Sequence, residues 1–87
     1  MGESNDERLK RPIQPMPGFV ESALEERRLM AAYRERPPYQ RNDYLGWINQ
    51  ARRGETKQKR LAQMLDELEA GDLYMKMAWR PPPETQV

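Results

Sequence analysis

The chain has 87 residues, of which 37% are hydrophobic and 33% are charged, and its formal net charge at pH 7 is +1. This length allows one small domain with a thin core, and the nearly neutral charge gives no overall attraction to nucleic acid. The sequence contains neither cysteine nor histidine. Disulfides, thiolate or imidazole metal ligands and a histidine general base are therefore excluded, and we expect no catalytic residues, no metal and no cofactor.

The composition along the chain predicts one helical module between two tails. Residues 1–16 are charged, contain proline and show no periodicity, so we expect a disordered N-terminal tail. Residues 17–80 carry the helical patterns, and residues 81–87 form a Pro-rich C-terminal tail. No apolar run is long enough to span a membrane, and the polar start has no apolar signal region. We expect a cytoplasmic protein.

Three helices are predicted in chain order, which gives an all-α fold, a small three-helix bundle. The first spans residues 18–36 between prolines, which mark its start and its end. The second spans residues 39–53 and is expected to end at Gly54 as a C′ glycine, and the third spans residues 55–70 and stops at Gly71. The second and third helices are expected to form an antiparallel helical hairpin.

Apolar residues at the spacing i, i+3, i+4, i+7 predict the core sides of these helices. The stripes are Tyr44, Trp47, Ile48 and Ala51 in the second helix and Leu61, Met64, Leu65 and Leu68 in the third. The first helix is less regular, with Phe19, Ala23, Met30 and Tyr33 on one side and Val20, Leu24 and Leu29 beside it. Gly46 inside the second helix costs about 1 kcal/mol relative to alanine. Close approach of another backbone would explain it, and a tolerated surface glycine is the alternative.

After the third helix the period changes to two. Leu73, Met75, Met77 and Trp79 alternate with Tyr74, Lys76, Ala78 and Arg80. This alternation predicts an extended segment with one apolar side. Two placements are open. In the one we favour, the segment packs across its own helical hairpin. In the other, the apolar residues Leu73, Met75, Met77 and Trp79 form a candidate partner segment that pairs with another chain.

The turn between the second and third helices is strongly cationic. The stretch ARRGETKQKR contains five cations and one acid, Glu55, and the cations are Arg52, Arg53, Lys57, Lys59 and Arg60. Cations are unfavourable at a helix start because the helix dipole is positive there. They are therefore candidate contacts for an anion or a partner, unless acidic residues of the chain neutralise them.

Internal neutralisation is the explanation we favour. If the helices run up, down and up, Glu21, Glu25 and Glu26 lie at the same end as the basic turn. At the opposite end, arginines and acids are predicted to face each other in the same way: Arg27, Arg28, Arg34 and Arg36 with Asp66, Glu67 and Glu69. Binding of nucleic acid or another anion through the basic turn is the alternative.

Eleven positions carry a resemblance to a known family: Tyr44, Trp47, Ile48, Ala51, Arg53, Glu55, Thr56, Lys57, Arg60, Leu68 and Gly71. Over residues 15–71 the chain resembles the C-terminal helical module of the YdeI/OmpD-associated, or bacteriocin-protection, family. The resemblance implies a small helical bacterial protein linked to porins and to resistance to toxic peptides, and it supplies no catalytic residues. We therefore expect a non-catalytic protein-interaction module whose partner is another protein, with nucleic acid as the alternative partner.

Overall fold

The computed structural model describes residues 13–80. Within them lie four α-helices and a short antiparallel β-hairpin, in the order α1 Gly18–Glu26, α2 Met30–Glu35, α3 Pro38–Gln50, α4 Gly54–Ala70, β1 Leu73–Tyr74 and β2 Met77–Ala78. The prediction of a mainly helical fold is confirmed. The prediction of three helices is corrected, because the first predicted helix is divided into α1 and α2.

The break between α1 and α2 is a Schellman motif. The N–H of Leu29 donates to the carbonyl of Leu24 at 2.8 Å, and the N–H of Arg28 donates to the carbonyl of Glu25 at 3.1 Å. These are the 6→1 and 5→2 hydrogen bonds of the motif, and Leu24 and Leu29 are both buried in the core. Arg28 takes the left-handed position, with φ 59°, which normally favours glycine. The helix therefore ends at Glu26 although no glycine marks its end.

Two prolines and a buried alanine set the bounds of α3. Pro37 is its N-cap and Pro38 its first residue, where proline is tolerated because the N–H of that position has no partner within a helix. The helix ends at Gln50, and Ala51 is buried with an extended backbone. Gly54 is consequently the first residue of α4, which corrects the prediction that it ends the preceding helix.

The helices α3 and α4 pack against each other as the predicted helical hairpin, and α4 ends before Gly71 in its left-handed conformation, as predicted. The start of α1 lies near the end of α3, where the amide of Asn49 donates to the carbonyl of Pro15 at 3.1 Å. The end of α1 lies near the end of α4, where Arg27 pairs with Glu69 at 2.6 Å. The helix α1 therefore runs parallel to α4, as the up, down and up arrangement requires.

The core lies between the four helices. Its buried members are Val20, Leu24, Leu29, Tyr33, Tyr44, Leu45, Ile48, Leu61, Met64, Leu65 and Leu68. The stripe predicted in α4 is buried in full, whereas Trp47 of α3 lies at the edge of the core and is only partly buried. Val20 and Leu24 of α1 are fully buried and Phe19 is 37% exposed. The side of α1 that faces the core is therefore the one that contains Val20 and Leu24, and not the neighbouring side that begins with Phe19.

The segment after α4 folds back on itself. The strands β1 and β2 pair antiparallel, with Tyr74 opposite Met77. Met75 and Lys76 form the two-residue turn, with φ 50° and 67°. Positive φ at both central positions is the pattern of a type I′ turn, which normally takes asparagine and glycine. The predicted single extended segment is therefore two short strands, and Tyr74 and Met75 of this segment pack against the core of their own chain.

The described chain begins with a segment that lies across α3. The N–H of Gln14 donates to Oδ1 of Asn42 at 2.7 Å, and Met16 packs against the core. A Cβ atom at Gly46 would lie 3.2 Å from Cγ of Gln14, so the group that comes close to this glycine is a side chain and not the backbone that was predicted. The predicted disordered tail included residues 13–16, of which Gln14 contacts α3 and Met16 packs against the core, whereas Ile13 is 77% exposed. The rest of that tail, residues 1–12, and the predicted Pro-rich tail, residues 81–87, lie outside the described residues.

Candidate interaction surfaces

Two of the five cations in the basic turn bind the end of α3. Arg60 Nη1 donates to the carbonyl of Trp47 at 2.6 Å, and its guanidinium carbon lies 5.3 Å from the centroid of the Trp47 ring. Lys57 Nζ lies 3.5 Å from the carbonyl of Asn49 and donates to it. The last carbonyls of a helix have no partner within the helix and carry the negative end of its dipole. These two cations at the start of α4 therefore stabilise the end of α3.

The other three cations, Arg52, Arg53 and Lys59, are exposed and are here named the cationic turn. Within residues 13–80 none of them forms an ion pair. Within the same residues, the glutamates of α1 that were predicted to neutralise these cations also form no ion pair: Glu21, Glu25 and Glu26. Pairs between exposed side chains are worth only about 0–1 kcal/mol each, so little energy draws the two groups together. Among the residues that the structure describes, neutralisation of the cationic turn by ion pairs is therefore not observed at this end of the fold.

At the opposite end the predicted charge complementarity is present for one arginine. Arg27 Nη2 lies 2.6 Å from a carboxylate oxygen of Glu69 and 3.6 Å from one of Asp66. Arg36 is used differently, because Nη2 donates to the backbone carbonyl of Glu67 at 3.0 Å and not to its carboxylate. The ends of α1 and α4 are therefore joined by an exposed ion pair, and the start of α3 is joined to α4 by a buried hydrogen bond.

The carboxylate of Glu67 holds the turn of the β-hairpin. Glu67 is 3% exposed, and its two oxygens accept the N–H groups of Met75 and Lys76, each at 2.8 Å. The hydroxyl of Tyr44 and the amide of Gln63 donate to the same carboxylate. Four donors compensate for the hydration that a buried charge loses. The carboxylate also fixes Met75 and Lys76 in a left-handed conformation that their own side chains disfavour.

Aromatic rings join the hairpin to α3. The ring of Tyr74 lies edge-on to the rings of Tyr39 and Tyr44, with centroid distances of 5.9 and 5.6 Å and interplanar angles of 82° and 84°. This is a favourable arrangement of aromatic pairs. The Tyr74 hydroxyl donates to the carboxylate of Asp43. Tyr39 remains 47% exposed and Met77 57% exposed, so the outer rim of this contact is apolar and open to solvent.

Arg36 is the second buried charge of this region, at 4% exposed. Its Nη1 donates to Oε1 of Gln40 at 3.0 Å, and Gln40 is itself fully buried. The guanidinium carbon lies 4.5 Å from the centroid of the Trp79 ring, within the range of a cation–π contact. Arg36 therefore connects the junction of α2 and α3 both to α4 and to the end of the hairpin.

Two tyrosine hydroxyls are held in the neutral form. Burial raises the pKa of Tyr44 above its ordinary value, and its hydrogen bond to Glu67 and the negative charge there raise it further. Burial also raises the pKa of Tyr33, although the nearby charge of Arg41 acts in the opposite direction. The Tyr44 hydroxyl is therefore a hydrogen-bond donor to the carboxylate throughout the neutral pH range.

An open pocket of about 390 Å³ lies between the N-terminal segment, α3 and the hairpin. Its lining residues are Gln14, Asn42, Asp43, Gly46, Trp47, Gln50, Tyr74 and Met75. Within residues 13–80 no group of three or more aspartate and glutamate side chains is placed to hold a metal ion. Trp47 forms a wall of the pocket, so its removal should destabilise the protein by less than the 3–5 kcal/mol that is typical of a fully buried aromatic residue.

The family described as Bacteriocin-protection, YdeI or OmpD-Associated matches residues 15–71, which is more than half of the chain. The chain belongs to this family. Comparison with curated proteins and with solved structures finds no match. Among residues 13–80 no helix has the length and apolar character needed to cross a membrane.

The match to the bacteriocin-protection family ends at the residue that terminates α4. It therefore includes the four helices and Glu67, but not the β-hairpin. Two donors to the Glu67 carboxylate, Tyr44 and Gln63, come from within the matched region, and the two backbone N–H groups come from beyond it. A buried carboxylate of the family region thus binds a segment that lies outside it.

Most residues of the candidate partner segment are partly buried by their own chain. Of its four residues, Leu73, Met75 and Trp79 are partly buried and Met77 is exposed. The polar network that holds the hairpin was not predicted, although the sequence carries a signal for it. Glu67 follows Met64 by three residues, so it lies on the core side of α4. A polar residue on the core side of a helix indicates a buried hydrogen-bonding group.

Proposed function

We propose that the chain is a non-catalytic module that binds another protein, and that the cationic turn is its contact surface. The observation that carries the proposal is the exposure of Arg52, Arg53 and Lys59 without an ion pair among the described residues. Three such cations beside one short connection form a surface complementary to carboxylates. We also propose that the protein acts in the bacterial cytoplasm, which cell fractionation against cytoplasmic and periplasmic markers tests.

The backbone that carries the cationic turn is held in place from both sides. Ala51 is buried in the core at the start of the connection, and Arg60 holds the start of α4 against the end of α3. A contact surface with a fixed backbone loses less conformational freedom on binding than a mobile loop does. This division of the basic residues into two supporting cations and three exposed ones supports a role in recognition.

A protein partner is favoured over nucleic acid for two reasons. The family description refers to association with OmpD and to protection against bacteriocins, which favours contact with a protein. The second half of α4 carries the exposed acids Asp66 and Glu69, which would repel a long polyanion that follows the helix. Nucleic acid is the second candidate, because the same unpaired cations can contact phosphates.

Charge reversal of the cationic turn tests the proposal. Lys57 and Arg60 are left unchanged, because altering them would destabilise the end of α3. The test variant is Arg52→Glu/Arg53→Glu/Lys59→Glu. The matched control changes three exposed arginines elsewhere and has the same net charge: Arg28→Glu/Arg34→Glu/Arg80→Glu. A partner is captured from a nuclease-treated lysate of the source bacterium, purified and titrated against all three chains.

We expect the test variant to bind the purified partner at least about tenfold more weakly than the parent, because charge pairs at an interface govern association. The control should bind like the parent. Equal affinities of the parent and the test variant would contradict the proposal. If the parent instead binds mixed-sequence DNA or RNA, with an affinity that falls steeply with salt and is lost in the test variant, the second candidate is correct.

A further inference from the structure

The helical part of the chain presents a continuous binding surface to the β-hairpin. We name it the receptor surface, and it consists of Arg36, Tyr39, Asp43, Tyr44 and Glu67. Its contacts are directed at three features of the hairpin: an aromatic ring, two successive backbone N–H groups and a second aromatic ring. All three features belong to a short stretch of chain, from Tyr74 to Trp79. The surface therefore recognises a peptide turn, and it does so mostly through backbone and ring contacts.

The hairpin is an imperfect occupant of the receptor surface. Met75 and Lys76 both adopt positive φ, although neither is asparagine or glycine, the residues preferred in such a turn. Lys76 is exposed and its side chain makes no hydrogen bond to the receptor surface. A segment with glycine at this position would make the same backbone contacts with less strain. The structure thus leaves room for a competing segment to bind more tightly.

The hairpin is also attached in a way that permits it to leave. Gly71 has φ 85°, and a Cβ there would meet nothing within 4 Å, so the connection to α4 is open. Residues 73–78 contribute none of the buried members of the core, and Tyr74 and Met75 only pack against its outside. Opening of the hairpin would therefore expose the receptor surface, including the ring of the core residue Tyr44, and leave the other buried members of the core between the helices.

We propose that the receptor surface is a peptide-binding site that the chain's own hairpin fills, and that its partner is a turn-forming segment of another protein. The chemistry of that segment follows from the contacts: an aromatic residue, a two-residue turn with both N–H groups free, and a second aromatic residue three positions after the turn. This site is separate from the cationic turn and does not depend on its role. The attached hairpin has an effective concentration on the order of millimolar, so a weak free segment does not displace it.

The test opens the site in the full-length chain. The variant Lys76→Pro removes one of the two N–H groups and the positive φ of the turn, whereas Lys76→Ala keeps both and is the matched control. A fluorescent peptide with the sequence of residues 72–80 is titrated by anisotropy. We expect Lys76→Pro to remain folded and to bind the peptide with a dissociation constant of about 0.1 mM or tighter, roughly a tenth of the effective concentration of the attached hairpin. The parent and Lys76→Ala should bind at least about tenfold more weakly, because their site is filled.

Changes in the peptide identify the contact without altering the fold. A peptide with an N-methyl group on the amide of residue 76 loses one hydrogen bond to Glu67 and should bind at least about tenfold more weakly. Its control is the peptide with Lys76→Ala, which should bind like the original. The peptide with Lys76→Gly should bind several-fold more tightly, because glycine accepts the left-handed conformation. The amide resonance of Gln63, which donates to the same carboxylate, should shift on binding.

Three results would each overturn the proposal. One is the absence of peptide binding to the folded Lys76→Pro chain at millimolar peptide. Another is equal binding of the N-methylated and original peptides. The third is loss of the fold in Lys76→Pro, seen by circular dichroism, since the hairpin would then be a part of the fold and not an exchangeable occupant.

Discussion

Replacing Glu67 by glutamine should weaken the attachment of the β-hairpin and lower the stability of the protein. The carboxylate accepts four hydrogen bonds, two at each oxygen. Glutamine keeps one oxygen and turns an NH₂ group towards the other two donors. The side-chain donor of that pair, the amide of Gln63 or the hydroxyl of Tyr44, can turn and accept from the NH₂ group, so one backbone N–H of the turn lacks an acceptor. Each buried donor without a partner costs about 1–3 kcal/mol. Because Lys76 is exposed and the hairpin can open to water, we take the lower part of this range and expect a loss of about 1–2 kcal/mol in the free energy of unfolding.

Urea unfolding followed by circular dichroism measures this loss. The whole stability expected of a domain this small is about 3–5 kcal/mol, so Glu67→Gln should keep a cooperative transition with its midpoint at a clearly lower urea concentration. Glu69→Gln is the matched control, since it removes the same charge from an exposed residue of the same helix. Loss of its ion pair with Arg27 should reduce stability by less than about 1 kcal/mol. A loss for Glu67→Gln that is no greater than that of the control would refute the role of the carboxylate.

Three further substitutions test the local interactions. Arg28→Gly should raise the unfolding free energy by about 0.5–1 kcal/mol, because glycine relieves the left-handed conformation, whereas Arg34→Gly in α2 should lower it by a similar amount; urea unfolding distinguishes the two. In the unfolded chain the Tyr44 hydroxyl ionises near pH 10, and in the folded chain it ionises at a higher pH. The free energy of unfolding therefore falls as pH rises above about 10. It should fall less steeply in Tyr44→Phe, which thermal melts at alkaline pH would show. Arg60→Gln should lower the free energy of unfolding by about 1 kcal/mol, because the hydrogen bond from Arg60 to the end of α3 is lost. Lys59→Gln should leave the free energy of unfolding unchanged.

The sequence was sufficient to predict that α3 and α4 are helices and where α4 ends, but not where α3 ends, because the apolar pattern of α4 is regular and Gly71 marks its end. Leu61, Met64, Leu65 and Leu68 repeat at helical spacing and are all buried. Gly71 takes the left-handed conformation for which glycine is suited. Such residues act locally, so the chain near them indicates the structure without knowledge of the rest of the fold.

The break after α1 and the β-hairpin were missed for a common reason. Both contain left-handed residues that are not glycine or asparagine, namely Arg28, Met75 and Lys76. Their conformations are imposed by contacts with distant or buried groups and not by their own preferences. At the break, the burial of Leu24 and Leu29 fixes the Schellman motif, and in the hairpin Glu67 binds the turn from eight residues away. A local pattern cannot predict a conformation that a tertiary contact imposes.

The two proposed surfaces lie at opposite ends of α4 and should act independently. Arg53 precedes the helix and Glu67 lies in its last turn, a separation of about 20 Å at 1.5 Å per residue. Substitutions this far apart, without shared partners, normally have additive effects. Charge reversal of the cationic turn should therefore leave peptide binding to Lys76→Pro unchanged within about twofold, and Lys76→Pro should leave binding of the partner at the cationic turn unchanged. If a substitution at one site changed the affinity measured at the other site by more than about tenfold, one partner would span both ends of α4. A single ligand in contact with both sites would lose affinity when either site is altered.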